Sequence, residues 1–330
     1  MRRTAAKLAA VTAVVTAAAL TVAPTSASAD LVTHCVGTGG AVTVPNDLLV
    51  PAGQSCALTG TTITGNVSVA AGANLVITRG RISGEVQVAA DGYLDAGDTA
   101  VGGGIELASG GFGAFLKDTG TGSITVRPKG SATVDSFLYT ENVNVDGTVT
   151  ASAGEVRLGV TTEVTGNVST TGTYYTDVHD SFVDGTLSVL NSATGSVVCG
   201  SAVRGRATFS GNLGGVQLGP NGTLAGCASG GYYGRDVSIT NTTGGVTVDG
   251  TIIDGKLTTT ANTPAAKVAA NNRIRGGVTG DQAPASAQSS SARSAAQRSA
   301  AQREAKGEQR AEARTSAAVQ EAVVAGDAGL

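Results

Sequence analysis

Residues 65–107 read GNVSVAAGANLVITRGRISGEVQVAADGYLDAGDTAVGGGIEL, and one phrase occurs in them three times. Gly65-Asn66-Val67-Ser68-Val69 returns as Gly84-Glu85-Val86-Gln87-Val88 and then as Gly103-Gly104-Ile105-Glu106-Leu107, each copy 19 residues after the last. Followed outward in both directions, the central apolar residue falls at Leu48, Val67, Val86, Ile105, Ile124, Val143, Val168, Leu187, Ala207, Val237, Leu257 and Val278. The steps are 19, 19, 19, 19, 19, 25, 19, 20, 30, 20 and 21 residues. Repetition at such a period marks a unit that cannot bury its apolar side alone and stacks on copies of itself.

The phase within a step identifies the unit. From Val67, apolar residues return at Val69, Leu75, Ile77 and Ile82; from Leu48 they return at Val50, Cys56, Leu58 and Ile63. Offsets 0, 2, 8, 10 and 15 therefore face inward, and alternation of this kind is the pattern of a half-buried strand. A small or turn-forming residue stands near offset 5, at Gly53, Gly72, Asp91 and Gly110, where the chain must bend. The expected fold is all-β: a single-stranded β-helix (β-solenoid) of about twelve 19–20-residue rungs, taken as right-handed, with a disordered or helical C-terminal tail. Strands about 4.8 Å apart stack twelve rungs into a rod of roughly 55 Å. The solenoid is expected over 30–281, with segment 30–47 as an N-terminal cap that protects the open edge.

Two insertions lengthen the repeat. One adds about six residues between Val143 and Val168. The other adds about ten between Ala207 and Val237 and contains Cys227, Tyr232, Tyr233 and Arg235.

Segment 1–29 reads as a secretory signal peptide. Arg2, Arg3 and Lys7 precede an apolar run from Leu8 to Val22, and Ala27-Ser28-Ala29 is a small-x-small cleavage site before Asp30. The run is shorter than the roughly 20 residues of a membrane span, and no later segment is a candidate span. A secreted or envelope-associated location follows, and in that setting four cysteines imply disulfides. Of three possible connectivities, Cys35–Cys56 and Cys199–Cys227 are favoured because each pair is close in sequence. With only His34 and His179 in the chain, no metal centre is expected, and no cofactor. Without the signal segment the chain carries 19 basic and 25 acidic residues, a balance that disfavours nucleic acid and anionic lipid as partners.

The tail, 282–330, is a different material, rich in Ala, Gln, Ser, Arg and Glu. Glu304, Glu308 and Glu312 recur at four-residue steps, as do Lys306, Arg310 and Arg314. On a helix these form like-charged stripes without opposite-sign pairs at i,i+4. The expectation is a disordered or marginally helical extension, serving as a spacer, as a wall-contacting segment, or as a solvated tail with no partner.

The densest chemistry lies in Tyr174-Tyr175-Thr176-Asp177-Val178-His179-Asp180. Val178 is in the inward phase, so Tyr175, Asp177 and His179 share one outward strip able to grip a sugar or activate a water. Asp95 and Asp135 have comparable outward offsets but lie on rungs that do not adjoin this one. Polar outward residues also serve solubility alone. Tyr232 and Tyr233, beside the disulfide-tied insertion, are the second candidate contact, since loops on rigid scaffolds commonly carry binding. No catalytic residue is assigned. Calcium-binding Gly-Gly-x-Gly-x-Asp arrays, regular Thr columns, Gly-x-Ser-x-Gly elbows, phosphate loops and dinucleotide fingerprints are absent from the sequence. Arg127-Pro128-Lys129 is faintly similar to an Arg-x-Lys feature of pectate-cleaving β-helices, without carboxylate partners.

The Gly-Asn-Val-Ser-Val and Gly-Glu-Val-Gln-Val phrases resemble the rungs of bactofilin-like, polymer-forming β-helices over roughly residues 48–280. That resemblance implies end-to-end self-association in a cytoplasmic family, from which the signal peptide, the cysteines and the insertions here depart. His34-Cys35-Val36-Gly37-Thr38 and Ala52-Gly53-Gln54-Ser55-Cys56 resemble segments of uncharacterised secreted β-solenoid proteins of high-GC Gram-positive bacteria, and no activity comes with that likeness. The expected function is a non-enzymatic secreted or cell-envelope structural or adhesive solenoid. Its expected partners are cell-wall or extracellular polysaccharide, or further copies of itself. The alternative is a carbohydrate-active β-helix, a polysaccharide lyase or glycosidase.

Overall fold

In the computed structural model, residues 31–133, 135–284 and 290–330 are described; the signal-peptide assignment lies outside them. Residues 31–284 coil into a β-solenoid with three parallel sheets. The first sheet has 13 strands, beginning with Val32–His34 and Asp47–Val50 and ending at Val278–Gly280. The second also has 13, from Gly37–Gly39 and Ser55–Thr59 to Gln282–Pro284. The third has 12 strands of two residues each, from Thr43–Val44 to Arg273–Ile274.

The register follows the repeat with one change. Leu48, Val67, Val86, Ile105 and Ile124 are successive partners, but the next is Val149, followed by Val168, Leu187, Ala207, Val237, Leu257 and Val278. Val143 is not in this column. It is buried in the connection before the third-sheet strand Asn144–Val145, whose apolar-x-apolar spacing imitates the repeat phrase. The six-residue insertion therefore lies one rung earlier than expected, between Val126 and Phe137.

The inward phase is as read. Val67, Val69, Leu75, Ile77 and Ile82 are at most 1% exposed and join one core cluster that runs from Cys35 to Ala266. At offset 5, Gly53, Gly72, Asp91 and Gly110 have φ between 53° and 74°. This is the left-handed corner that glycine and Asp or Asn tolerate best.

Within the expected cap segment, residues 31–46 form the first rung. Val32–His34, Gly37–Gly39 and Thr43–Val44 pair with the rung that follows. Cys35–Cys56 ties these two rungs and Cys199–Cys227 ties the second insertion to the second sheet, with Cα–Cα distances of 5.6 and 5.4 Å. Substitution of Cys35 and Cys56 by Ser is expected to lower unfolding free energy by about 3 kcal/mol for a loop of this length. A denaturant titration that leaves the midpoint unchanged would refute it.

The described part of the tail from residue 290 onward is ordered. Ser290–Ala325 is a 36-residue helix, α1, about 54 Å long at 1.5 Å per residue. It lies along the outer face of the second sheet and runs back toward the first rung: Gln297 meets Gly226, Arg303 meets Tyr175, Arg314 meets Asn74, and Glu321 accepts a hydrogen bond from Ser55. The surface it presents is small. Ala296, Gly307, Ala311, Ala318 and Ala322 are buried against the sheet. Positions 296, 307 and 318 are eleven apart, as are 311 and 322, and eleven residues make about three turns, so this line drifts only about 20° around the helix per repeat. Three arginines beside it lie over rings: Arg303 on Tyr175 at 4.0 Å, Arg310 on Phe112 at 4.6 Å and Arg314 on Phe112 at 4.7 Å. Of the positive stripe Lys306, Arg310 and Arg314, the two arginines are thus turned onto the sheet, while Lys306 is exposed.

Gly326 ends the helix with φ at 91°, a left-handed residue at the C-terminal boundary. Beyond it the chain adds to the first rung: Thr38 N donates to Gly326 O at 2.8 Å, and Ala328 N donates to Thr38 O at 2.9 Å. Ala328 and Leu330 pack on the main core. The second-sheet edge of the first rung is covered by the last five residues of the sequence.

Candidate functional site

Second-sheet strands turn alternate residues outward, and Tyr175–His179 turns out Tyr175, Asp177 and His179 as the period-two pattern requires. The preceding strand places Glu155 opposite Tyr175 and Arg157 opposite Asp177; the following strand places Gly195 and Val197 there and Cys199 opposite His179. The strip is only partly open to solvent: Asp177 is half-buried, and the His179 side chain is 36% exposed. α1 passes over it, and the disulfide-tied insertion folds in from the side, with Leu224, Ala225 and Cys227 packed against Tyr175, Val197 and Cys199.

Between sheet, helix and insertion lies a cavity of about 350 Å³. Arg157, Asp177 and His179 line its floor, Gln297, Arg303 and Glu304 its roof. Exposed Val160 and Asp180 form its rim.

Each group has a physical setting. Tyr175 is 2% exposed, and its hydroxyl accepts a hydrogen bond from Arg303 Nη2 at 2.7 Å. Burial, then the charge of Asp177, pushes its ionisation far above the usual tyrosine range. Arg303 also donates to Leu224 O at 2.9 Å, so one guanidinium joins helix, sheet and insertion. Arg157 lies over the Tyr139 ring at 4.6 Å and pairs with Glu155 at 3.3 Å and Glu308 at 3.9 Å. His179 Nε2 is 3.5 Å from Asp180 Oδ2.

Asp177 differs from these. Its Oδ1 is sealed from solvent and has no hydrogen-bond donor. Burial pushes its carboxyl up to about 6, against the pull of His179, Arg157 and Arg303, while Glu304 pushes the same way as burial. A folded-state value above the unfolded 3.8 means that the folded chain holds the proton more tightly. Stability is then greatest below that value and falls as pH rises toward 6. Asp177→Asn, which cannot ionise, is expected to be more stable than the parent at pH 7.5, by on the order of 2 kcal/mol. The difference closes below pH 4. Melting curves that coincide at pH 7.5 would contradict this.

The other sequence candidates fall elsewhere. Tyr232 and Tyr233 are adjacent in one third-sheet strand and so face opposite sides. Tyr232 is partly exposed, and its hydroxyl donates to Asp254 Oδ2 at 2.7 Å. Tyr233 is fully buried in the main core and cannot be a surface contact, which corrects the reading of a paired tyrosine surface. Asp95 lies under α1, where Thr315 donates to its carboxylate. Among the described residues, no group of three or more His, Cys, Asp and Glu side chains is placed to hold a metal ion.

Sequence reasoning missed Arg157 because it stands at offset 8 from Val149, an inward offset, whereas its partner Asp177 stands at offset 9 from Val168; the corner of this rung is one residue shorter. It also missed Arg303 and Glu304, for which no local signal exists. Comparison with protein-family models, with curated proteins and with solved structures yields no match. The fold defines the class, a β-solenoid with a long C-terminal helix laid along one face.

Proposed function

We propose that this chain is an exported, non-enzymatic structural or adhesive β-solenoid of the extracellular space or cell envelope. The observation that carries the reading is the cover over the second sheet. The face where a β-helix would lay a long polymer is occupied by α1 from Gln297 to Glu321, which leaves a partly covered cavity instead of a continuous open groove. Two disulfides suit an oxidising compartment. No helix among the described residues is long and apolar enough to cross a membrane. Self-association of the kind implied by the bactofilin-like rungs would first require Gly326–Leu330 to leave the first rung.

The mature protein incubated with a panel of neutral and acidic polysaccharides is expected to release neither new reducing ends nor unsaturated uronides, and to co-sediment with envelope material. Release from any polymer overturns the scaffold reading. A second reading, a lyase or glycosidase, is favoured by one observation: Asp177, Asp180 and Glu304 line one cavity, with Asp177 raised into the range of a general acid. It requires polymer cleavage that Asp177→Asn abolishes.

A further inference from the structure

Beneath α1, polar outward side chains end on partners. Asn74 accepts from Arg314, Asp95 from Thr315, Glu155 from Tyr139, and Ser55 donates to Glu321. Asp177 is the exception: it forms part of a cavity wall, and one carboxylate oxygen has no donor. A buried acceptor without a partner costs on the order of 1–3 kcal/mol.

The cavity wall mixes acceptors, Asp177 and Glu304, with donors, Arg157, Arg303 and the Gln297 amide. The wall carries three carboxylates, Asp177, Asp180 and Glu304, against the two guanidiniums of Arg157 and Arg303. Arg157 is offset by Glu155 and Glu308, and His179 faces Asp180. An anion entering here meets Asp177 and Glu304, and a cation meets the two guanidiniums. A neutral molecule with several hydroxyls meets neither penalty, because each hydroxyl donates once and accepts twice. The volume, about 350 Å³, is at the small end of ligand cavities. The Tyr175 ring is already covered by Arg303, so recognition has to come from hydrogen bonds without ring stacking.

We propose that this cavity binds one neutral sugar residue non-covalently, with Asp177 accepting from a sugar hydroxyl and the neighbouring guanidiniums donating to others. The proposal deepens the reading of an adhesive solenoid by naming what the covered face holds, and it rests on that reading only for its polysaccharide source.

The test uses the full mature chain in saturation-transfer NMR and calorimetry. The probes are glucose, galactose, mannose and N-acetylglucosamine, with glucuronate and glucosamine as charged arms. At least one neutral sugar is expected to bind with a Kd on the order of 1 mM. Asp177→Asn should weaken it at least about tenfold, in a protein that melts no earlier than the parent. Ala301→Phe, which fills the cavity from an exposed helix position, should abolish binding with the β-sheet spectrum intact. Absence of binding by every neutral sugar overturns the proposal, as does preference for a charged arm or unchanged affinity in Asp177→Asn. Each of these leaves the scaffold reading standing. Cleavage of a polymer built from the bound sugar overturns the scaffold reading and leaves the sugar site.

Discussion

A chain ended after Pro284, without α1, is expected to bind a hydrophobic dye and to aggregate while keeping the far-ultraviolet spectrum of a β-sheet. The core inside the solenoid does not include the helix, since the main cluster runs through inward residues of all three sheets. The helix instead covers the outside of the second sheet, where Tyr93, Phe137, Tyr139 and Tyr175 are at most 3% exposed. These rings, with Phe112 and Phe115 beside them, form a row along the rod. An aromatic side chain buries roughly 150–250 Å². Uncovering four of them yields an apolar patch at or beyond the few hundred Å² that soluble monomers present. The same truncation removes Gly326–Leu330 and opens the edge of the first rung, a template for strand pairing. Sedimentation velocity and dye fluorescence read both effects. A truncated protein that remains monomeric and dark shows that the helix is dispensable.

Gly307→Leu is expected to destabilise the docked helix although it strengthens the helix itself. Replacing an interior glycine raises helix propensity by about 0.8–1 kcal/mol. The packing term opposes this and is larger. A Cβ at position 307 would stand 2.6 Å from the Tyr139 hydroxyl oxygen and 3.1 Å from its Cζ. Tyr139 cannot swing away, because it stacks on Phe137 at 4.6 Å, donates to Glu155 at 2.9 Å and lies beneath Arg157 at 4.6 Å. Overpacking of this kind costs about 1–3 kcal/mol, more for a full leucine than for a methyl group. The expected result is faster amide exchange in 296–322 and around Glu155, with the solenoid core unaffected. Slower exchange in the helix would show that propensity outweighs the clash.

The repeat was legible because the solenoid core is made from within each rung. An inward Val67 or Leu75 needs only the copy 19 residues away, and the sequence states where that copy is. Register failed at one point for a physical reason. Asn142-Val143-Asn144-Val145 carries the same alternation as the true strand Val149–Ala151, and six inserted residues before it removed the spacing that would have told them apart. A corner one residue shorter in this rung also hid Arg157 from Asp177, although the two stand opposite each other on adjacent strands. The paired tyrosines were within reach of strand alternation alone, since consecutive residues of one strand cannot both face outward.

The tail shows the opposite case. Its glutamates and basic residues at four-residue spacing are visible in the sequence, but a helix of low hydrophobicity carries no statement of what it lies on. Alanines occur throughout 290–325, so those that form the seam are not marked out among them. Ala311, for one, packs on Tyr93, Phe137 and Tyr139, on rungs far earlier in the chain.

The sequence by itself therefore determined the coil, its inward face and its corners and favoured the two disulfide pairs, because each depends on residues about one rung apart. Only the tertiary structure decided that the outward strip of Tyr175, Asp177 and His179 is roofed by Arg303 and Glu304, and that the last residues close the first rung. Those contacts join segments separated by more than a hundred residues through single side chains, and no period in the sequence records them.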